Sequence, residues 1–166
     1  MIIRKGTKED LQGAYSLILE LANFEQAPEE VENTLEDMVT DGFGKNPIFE
    51  FFVAEVNGTI VGLALYYFSY STWKGRAMHL EDLIVTQAYR KQGLGKILFD
   101  KVVEKARELQ VGRLTWQVLD WNEPAIQFYE KLGAQFNKEW ITCKLTREQL
   151  KNYNFSASSK VMNSTN

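Results

Sequence analysis

His79-Leu80-Glu81-Asp82-Leu83-Ile84-Val85, leading through Arg90-Lys91-Gln92-Gly93-Leu94-Gly95 into an amphipathic segment that ends near Gln110, reads as strand, tight glycine loop and helix. Gly93 and Gly95 let the backbone come close to a ligand with its N–H groups aimed at anionic oxygens. The helix that follows adds its positive N-terminal end. Apolar Leu94, Ile97, Leu98, Val102, Ala106 and Leu109 recur at the spacing of one buried helical face. Residues 90–107 carry Arg90, Lys91, Lys96, Lys101, Lys105 and Arg107 against Asp100 and Glu104, which makes a phosphate-bearing group the natural ligand. A Gly-x-Gly after a strand is also an ordinary turn, so the rest of the chain has to decide.

With 166 residues, 45% of them hydrophobic, the chain is long enough for one well-buried core and short for two, and a single domain over residues 1–155 is expected. Residues 156–166 lack any apolar period and read as a disordered tail. No run reaches the roughly 18 to 20 apolar residues that span a bilayer, and Met1-Ile2-Ile3-Arg4-Lys5 lacks a signal peptide's apolar core, so a cytoplasmic protein without a membrane partner is expected. The single Cys143 leaves no internal disulfide or cysteine-based metal site and reads as a small hydrophobe buried in a strand. His79 is the only histidine; with no companion ligands at metal spacing it reads as structural or peripheral, and no metal is expected.

A net charge of -3 gives no reason to expect nucleic acid, but its distribution is uneven. Residues 20–55 hold Glu20, Glu25, Glu29, Glu30, Glu32, Glu36, Asp37, Asp41, Glu50 and Glu55 with Lys45 as the only basic residue. Such a run is either a solvated face or an attractor for a cationic substrate.

In chain order, Met1–Arg4 reads as a first strand and Thr7 or Lys8 to Asn23 as a helix, with Thr7 as N-cap, Asp10 as its box-like partner and an apolar stripe of Leu11, Tyr15, Ile18, Leu19 and Ala22. A second helix from Thr34 is terminated by Gly42 and Gly44. Phe49 to Val56 and Thr59 to Tyr70 form an antiparallel pair about Asn57-Gly58, and Arg76 to Val85 returns beside them after a turn at Ser71 to Gly75. Beyond the glycine loop and helix, Arg113 to Leu119 is expected parallel to the fourth strand, as a helical crossover requires. Asn122 caps a short helix with Pro124 in its first turn and Gly133 past its end. Phe136 and Trp140 to Leu145 read as the last strands.

This order, with Arg90-x-x-Gly93-x-Gly95 on the central loop and Trp121-Asn122-Glu123-Pro124-Ala125-Ile126-Gln127-Phe128-Tyr129-Glu130-Lys131-Leu132-Gly133-Ala134 after it, resembles the GNAT superfamily of N-acetyltransferases. Asp41-Gly42-Phe43-Gly44, Tyr66-Tyr67-Phe68, Leu80-Glu81-Asp82 and Trp121-Asn122-Glu123-Pro124 resemble the diamine (spermidine/spermine) acetyltransferases. Tyr70-Ser71-Thr72-Trp73-Lys74-Gly75-Arg76 and Val118-Leu119-Asp120-Trp121-Asn122 are closer still to the thialysine acetyltransferase branch. The resemblance covers about residues 1–146 and weakens after Gly133-Ala134. It implies the α/β acyl-CoA N-acyltransferase fold: a mixed, mostly antiparallel sheet with a parallel pair at the cofactor cleft, flanked by helices.

An aliphatic amine, with an unperturbed pKa of about 10.4, is protonated at neutral pH and cannot attack a thioester until a base takes its proton. Glu81 and Asp82 lie in an otherwise apolar strand, where alternation is expected to turn them to opposite sides. The resemblance assigns the base to Glu81, acting through water, and leaves Asp82 between amine recognition and a structural pair. It assigns the acid that protonates the leaving thiolate to Tyr129, whose spacing from Ile126 and Leu132 also fits a core aromatic. A backbone N–H near Leu83 is its oxyanion donor.

For acetyl-CoA the resemblance implies Leu83, Ile84 and Val85 along the pantetheine, a pyrophosphate loop of Arg90, Lys91, Gln92, Gly93, Leu94, Gly95 and Lys96, and Asn122, Glu123, Pro124 and Ala125 with Tyr129 on the cofactor's arm. For the acceptor it implies Phe24, Glu25, Thr115, Trp116, Gln117 and Glu139 beside Glu81 and Asp82. Trp116 is either a cation–π face or a core residue. The expected activity is acetyl transfer, in a ternary complex, to a primary amine of thialysine, a lysine-like amino acid or a polyamine, by a homodimer. The alternatives are a protein lysine or N-terminal acetyltransferase, or a non-catalytic acyl-CoA sensor.

Overall fold

Short alternating runs in the first part of the chain pair into one sheet: β1 (Ile2–Lys5), β2 (Glu50–Val56), β3 (Thr59–Ser71), β4 (Gly75–Val85) and β5 (Arg113–Thr115), side by side in that order. β1 to β4 are antiparallel neighbours and β4 and β5 run parallel, so the mixed sheet expected from sequence is present. A computed structural model of the chain describes residues 1–155; the tail expected at 156–166 lies outside the described residues. The chain divides into two compact units, Met1–Val118 and Leu119–Asn166.

In the first unit, α1 (Leu11–Phe24) and α2 (Leu35–Phe43) share a core with Phe51 and Val53 of β2, Leu63 and Leu65 of β3 and Ile84 of β4. Strand alternation turns the neighbouring side chains, including Phe52 and Tyr66, to the other face, which α3 (Leu94–Glu108) covers with Leu94, Leu98, Phe99, Val102 and Ala106. Each large apolar side chain buried this way contributes about 1.5–3 kcal/mol.

The expected stripe of α1 is rotated. Leu11, Ala14 and Leu17 are buried, with Tyr15, Ile18 and Leu21 packed beside them, whereas Leu19 is 37% exposed. Leu17-Ile18-Leu19 is apolar all round, so its period leaves the facing side open and the sheet decides it. α3 has the same character on a smaller scale: Phe99 is buried and Ile97 is 38% exposed.

Local signals were more faithful. Asn57 and Gly58 both take positive φ, at 50° and 79°, as a tight two-residue hairpin turn requires. The Asp10 carboxylate accepts from the Thr7 N–H (2.8 Å) and hydroxyl (3.0 Å) at the entry to α1. Arg4 on β1 grips both Asp10 oxygens and also Glu55 on β2, tying two strands to that helix start. Hydrogen bonds from Arg4 hold the Asp10 carboxyl down to about 2. Thr34 caps α2, which continues through Gly42 to Phe43 before Gly44 ends it.

The second unit contains α4 (Glu123–Lys131) and α5 (Arg147–Lys151), the latter unforeseen. The strands expected at Phe136 and Trp140–Leu145 are not formed: these residues lie in irregular backbone, with Trp140 73% and Ile141 88% exposed. Alternating apolar residues make a strand only when a neighbouring strand takes up their N–H and C=O groups. Cys143, expected in such a strand, is accordingly exposed rather than buried. Among the described residues no helix is long and apolar enough to cross a membrane.

Candidate active site

β4 carries an extra residue where the expected site residues lie. Leu65 of β3 faces Asp82, yet the next β3 residue, Tyr66, faces Leu80, so Glu81 is left over as a bulge. A bulge interrupts alternation and re-aims side chains. Asp82 stands opposite Leu65, on the face covered by α1 and α2. His79 stands opposite Tyr67, two residues further along β3 and therefore on that same face, and the Glu81 carboxylate lies 3.6 Å from His79 Nε2. Glu81 and Asp82 thus share a face, which corrects the expectation that they point to opposite sides.

Electrostatics agree with that placement. Burial first, and then the neighbouring carboxylates of Glu81 and Glu25, push the Asp82 carboxyl up to about 7. Desolvation also raises Glu25, at the end of α1. Three of the acceptor residues expected from sequence, Glu25, Glu81 and Asp82, therefore converge on one face. Thr115, a fourth, ends β5 with its hydroxyl 3.0 Å from His79 Nδ1. Trp116 instead stands edge-on to Phe99 of α3 at 5.2 Å, a packing role. Gln117 follows it outside the strand and is exposed.

The raised Asp82 carboxyl has a consequence for stability. It ionises near 3.8 when unperturbed and near 7 here, so the folded state favours the protonated form; the associated stabilisation is full below about 3.8 and is lost as pH rises through about 7. Asp82→Asn is therefore expected to raise the melting temperature by about 5 °C at pH 8 and to change it little at pH 4, as calorimetry would register. A lower melting temperature at pH 8 would contradict the burial argument.

Parallel pairing of β4 with β5 covers only Ala77 to His79. Beyond it β4 runs on to Val85, so Leu83, Ile84 and Val85 follow the splay with no β5 residue opposite them. The chain then enters the glycine loop, where Lys91 (φ 62°) and Gly93 (φ 82°) adopt left-handed backbone and Gly93 caps α3. Among the described residues, nothing beyond the adjoining backbone lies within 4 Å of where a Cβ would stand on Gly93 or Gly95. Open space in front of these glycines, together with the unpaired first-turn N–H groups of α3, fits the pyrophosphate of acetyl-CoA.

Arg90 has a different occupation. Its Nε donates to Val85 O (2.8 Å), its guanidinium lies 5.3 Å from the Phe24 ring centroid, and Nη2 is 3.6 Å from Glu20. Glu20 also accepts from the Gln87 N–H at 3.1 Å. The side chain thus joins the last turns of α1 to the start of the loop, so that any Arg90 contact to the cofactor falls to its backbone. Gln92 reaches back to Ala88 O at 3.4 Å, and Lys96 pairs with Asp100 one turn along α3.

In the second unit, Asn122 Oδ1 accepts from the Ala125 N–H (3.4 Å) and Pro124 lies in the first turn of α4, the cap expected from sequence. Tyr129 is buried on that helix with Phe128 edge-on at 5.1 Å, and burial pushes its phenol up to about 12. Glu139 is exposed in the irregular segment, its N–H donating to Asn137 Oδ1. Sequence reasoning read His79 as structural or peripheral and did not find its partners, which come from β3 and β5. It also passed over a cleft of about 450 Å³ lined by Phe43, Phe49, Phe51 and Phe68, which includes Gly42 and Phe43 but none of the acceptor residues.

The model of the acetyltransferase (GNAT) family matches residues 11–134. Thialysine N-epsilon-acetyltransferase of Bos taurus is 41% identical over 143 residues, spanning 81% of this chain and 84% of its own length. The Mus musculus protein of the same name is 38% identical over 160 residues, or 90% and 94% of the two chains. Among solved structures, a ribosomal-protein-alanine N-acetyltransferase from Brucella melitensis biovar Abortus 2308 superimposes with a TM-score of 0.68 at 21% identity, covering 87% of this chain and 98% of that one, a likeness of fold.

Proposed function

Because the chain belongs to the acetyltransferase (GNAT) family, we propose that it transfers acetyl from acetyl-CoA to a primary amine of a small cationic acceptor: thialysine, a lysine-like amino acid or a polyamine. The observation that carries this reading is the convergence of Glu25, Glu81 and Asp82 on one face of β4, beside the strand end that leads into the glycine loop. Such a group of carboxylates attracts an ammonium and supplies a base for it.

Acetyl-CoA provides an activated acyl group. Leu83 to Val85 present backbone groups to its pantetheine, Lys91 to Lys96 hold its pyrophosphate, and Asn122 to Ala125 touch its arm. Phe24, Glu25 and Asp82 hold the acceptor, with Thr115 and Gln117 beside them and Glu139 as a further contact. Glu81 takes the ammonium proton, through water, and leaves the amine free to attack. The Leu83 N–H stabilises the oxygen that gains charge. Tyr129 gives a proton to the departing sulfur. The chain acts as a cytoplasmic homodimer.

Coupled thiol-release kinetics over thialysine, lysine, ornithine, spermidine, spermine, putrescine and an N-terminal peptide tests the reading. The expected result is that small diamines and lysine analogues exceed the peptide in kcat/KM by at least about tenfold, the order of one lost charged contact. A peptide preference would redirect it to protein acetylation, and absence of turnover on the whole panel to acyl-CoA sensing.

A further inference from the structure

Three strands converge on the only imidazole of the chain. Thr115 of β5 holds Nδ1 at 3.0 Å, the Tyr67 ring of β3 lies 5.1 Å away and tilted by 33°, and Glu81 of β4 stands 3.6 Å from Nε2. The His79 side chain is 20% exposed, whereas that of Glu81 is 53% exposed. The ring is thus fixed from two sides, and its remaining nitrogen faces the carboxylate that meets solvent and substrate.

We propose that His79 is a positioning residue for Glu81 and the next carrier of the proton that Glu81 takes from the acceptor ammonium. The inference rests on the reading of Glu81 as the base.

The chemistry asks for such a carrier. A carboxylate that has taken a proton must lose it before the next turnover, and the imidazole is the basic side chain beside it. Thr115 Oγ1 can donate to Nδ1 or accept from it; in the tautomer that carries Nδ1–H, Nε2 is free to take a proton from a protonated Glu81. Through one water, or once the 3.6 Å gap closes to hydrogen-bond length, the O–H bond of the Glu81 carboxyl breaks as Nε2–H forms, giving an imidazolium beside a restored carboxylate. Release of that proton to water returns the ring to its starting tautomer. One proton leaves the ammonium and one reaches solvent, and no other reactant is needed.

The groups around the ring are suited to this. Tyr67, whose phenol is raised by burial and by Glu81, stays neutral and does not compete for the proton. Thr115 on the β5 side carries no charge. Glu81 is the carboxylate beside the ring at 3.6 Å, and Asp82 on β4 and Glu25 on α1 are the further carboxylates of that face. An imidazole is also the side chain whose charge changes between about pH 5 and 8, the range in which the relay must work.

The test compares wild type, His79→Gln, Thr115→Val and Glu81→Gln in kcat and kcat/KM across pH, with acetyl-CoA affinity and melting temperature measured for each. For His79→Gln the expected result is a fall in kcat of about tenfold, below the range for a direct proton-transfer group, with acetyl-CoA affinity kept. One ionisation should disappear from the acid limb of the kcat/KM profile. Thr115→Val, which removes the Nδ1 partner beside the acceptor, should displace that limb in kcat as well as in kcat/KM without abolishing it, whereas loss of an acceptor contact alone would raise KM and leave the kcat profile in place. A role in packing alone would lower the melting temperature and leave the shape of both profiles as in wild type, which overturns the proposal. If His79→Gln does not fold, the Thr115→Val profile decides alone: a displaced limb supports the relay and a superimposable one rejects it. Full activity in Glu81→Gln would instead remove the base on which the relay depends.

Discussion

Glu81→Gln is expected to lower kcat by about 10²- to 10⁴-fold, the usual contribution of a positioned general base, while acetyl-CoA affinity stays as in wild type. The amide has the shape of the carboxylate and still accepts a hydrogen bond, but it cannot take a proton from an ammonium. Its site on the bulge makes the comparison clean, because Glu81 has no opposite number on β3 and a 53% exposed side chain, so the exchange disturbs little packing. Equilibrium binding of acetyl-CoA and steady-state kinetics on the best acceptor separate the two effects. A kcat within twofold of wild type at every pH would take Glu81 out of the reaction.

Tyr129→Phe should slow turnover by about 10²-fold, again from loss of a positioned proton. A leaving thiolate with an intrinsic pKa of about 8.5 departs unaided, but more slowly than when a phenol meets it. Burial raises the Tyr129 phenol to about 12, so the hydroxyl keeps its proton throughout the working range. The deficit should therefore be constant from about pH 6 to 10 rather than shrinking as pH nears 10, which distinguishes a buried phenol from one titrating near its ordinary value. Phe retains the ring that packs with Phe128, so the melting temperature should move by only a few degrees. Wild-type kcat across that range would leave Tyr129 as a core aromatic alone.

What could be read from sequence follows the range of the physics involved. The glycine loop, the hairpin at Asn57-Gly58 and the caps at Thr34 and Asn122 depend on a few adjacent residues, and all are present. The phase of α1 depends on what it packs against, so Leu11, Tyr15 and Ile18 of the expected stripe reach the core while Leu17 is buried where Leu19 was expected. The strand expected over Arg113–Leu119 stops at Thr115, because pairing with β4 ends there. Trp140–Leu145, also expected as a strand, lies in irregular backbone. The acidic run divides in the same way. Glu55 and Glu50 are taken up by Arg4 and Lys5 and Glu20 by Arg90, while Glu25 joins the group around Asp82.

The bulge at Glu81 has one more consequence, for insertions and deletions rather than substitutions. On one side of residue 81 the strand is phased by Ile84 and Asp82 against Leu63 and Leu65, and on the other by Leu80 and Met78 against Tyr66 and Phe68. One supernumerary residue stands between the two. Removing it would set Leu80 directly before Asp82 and still opposite Tyr66, so Met78 and Leu80 would stay toward α3 and His79 toward α1, while the carboxylate that the bulge aims at His79 would be lost. A homologous chain one residue shorter in β4 would therefore keep the register of the sheet and the places of Asp82 and His79, and would lack only the extra carboxylate between them.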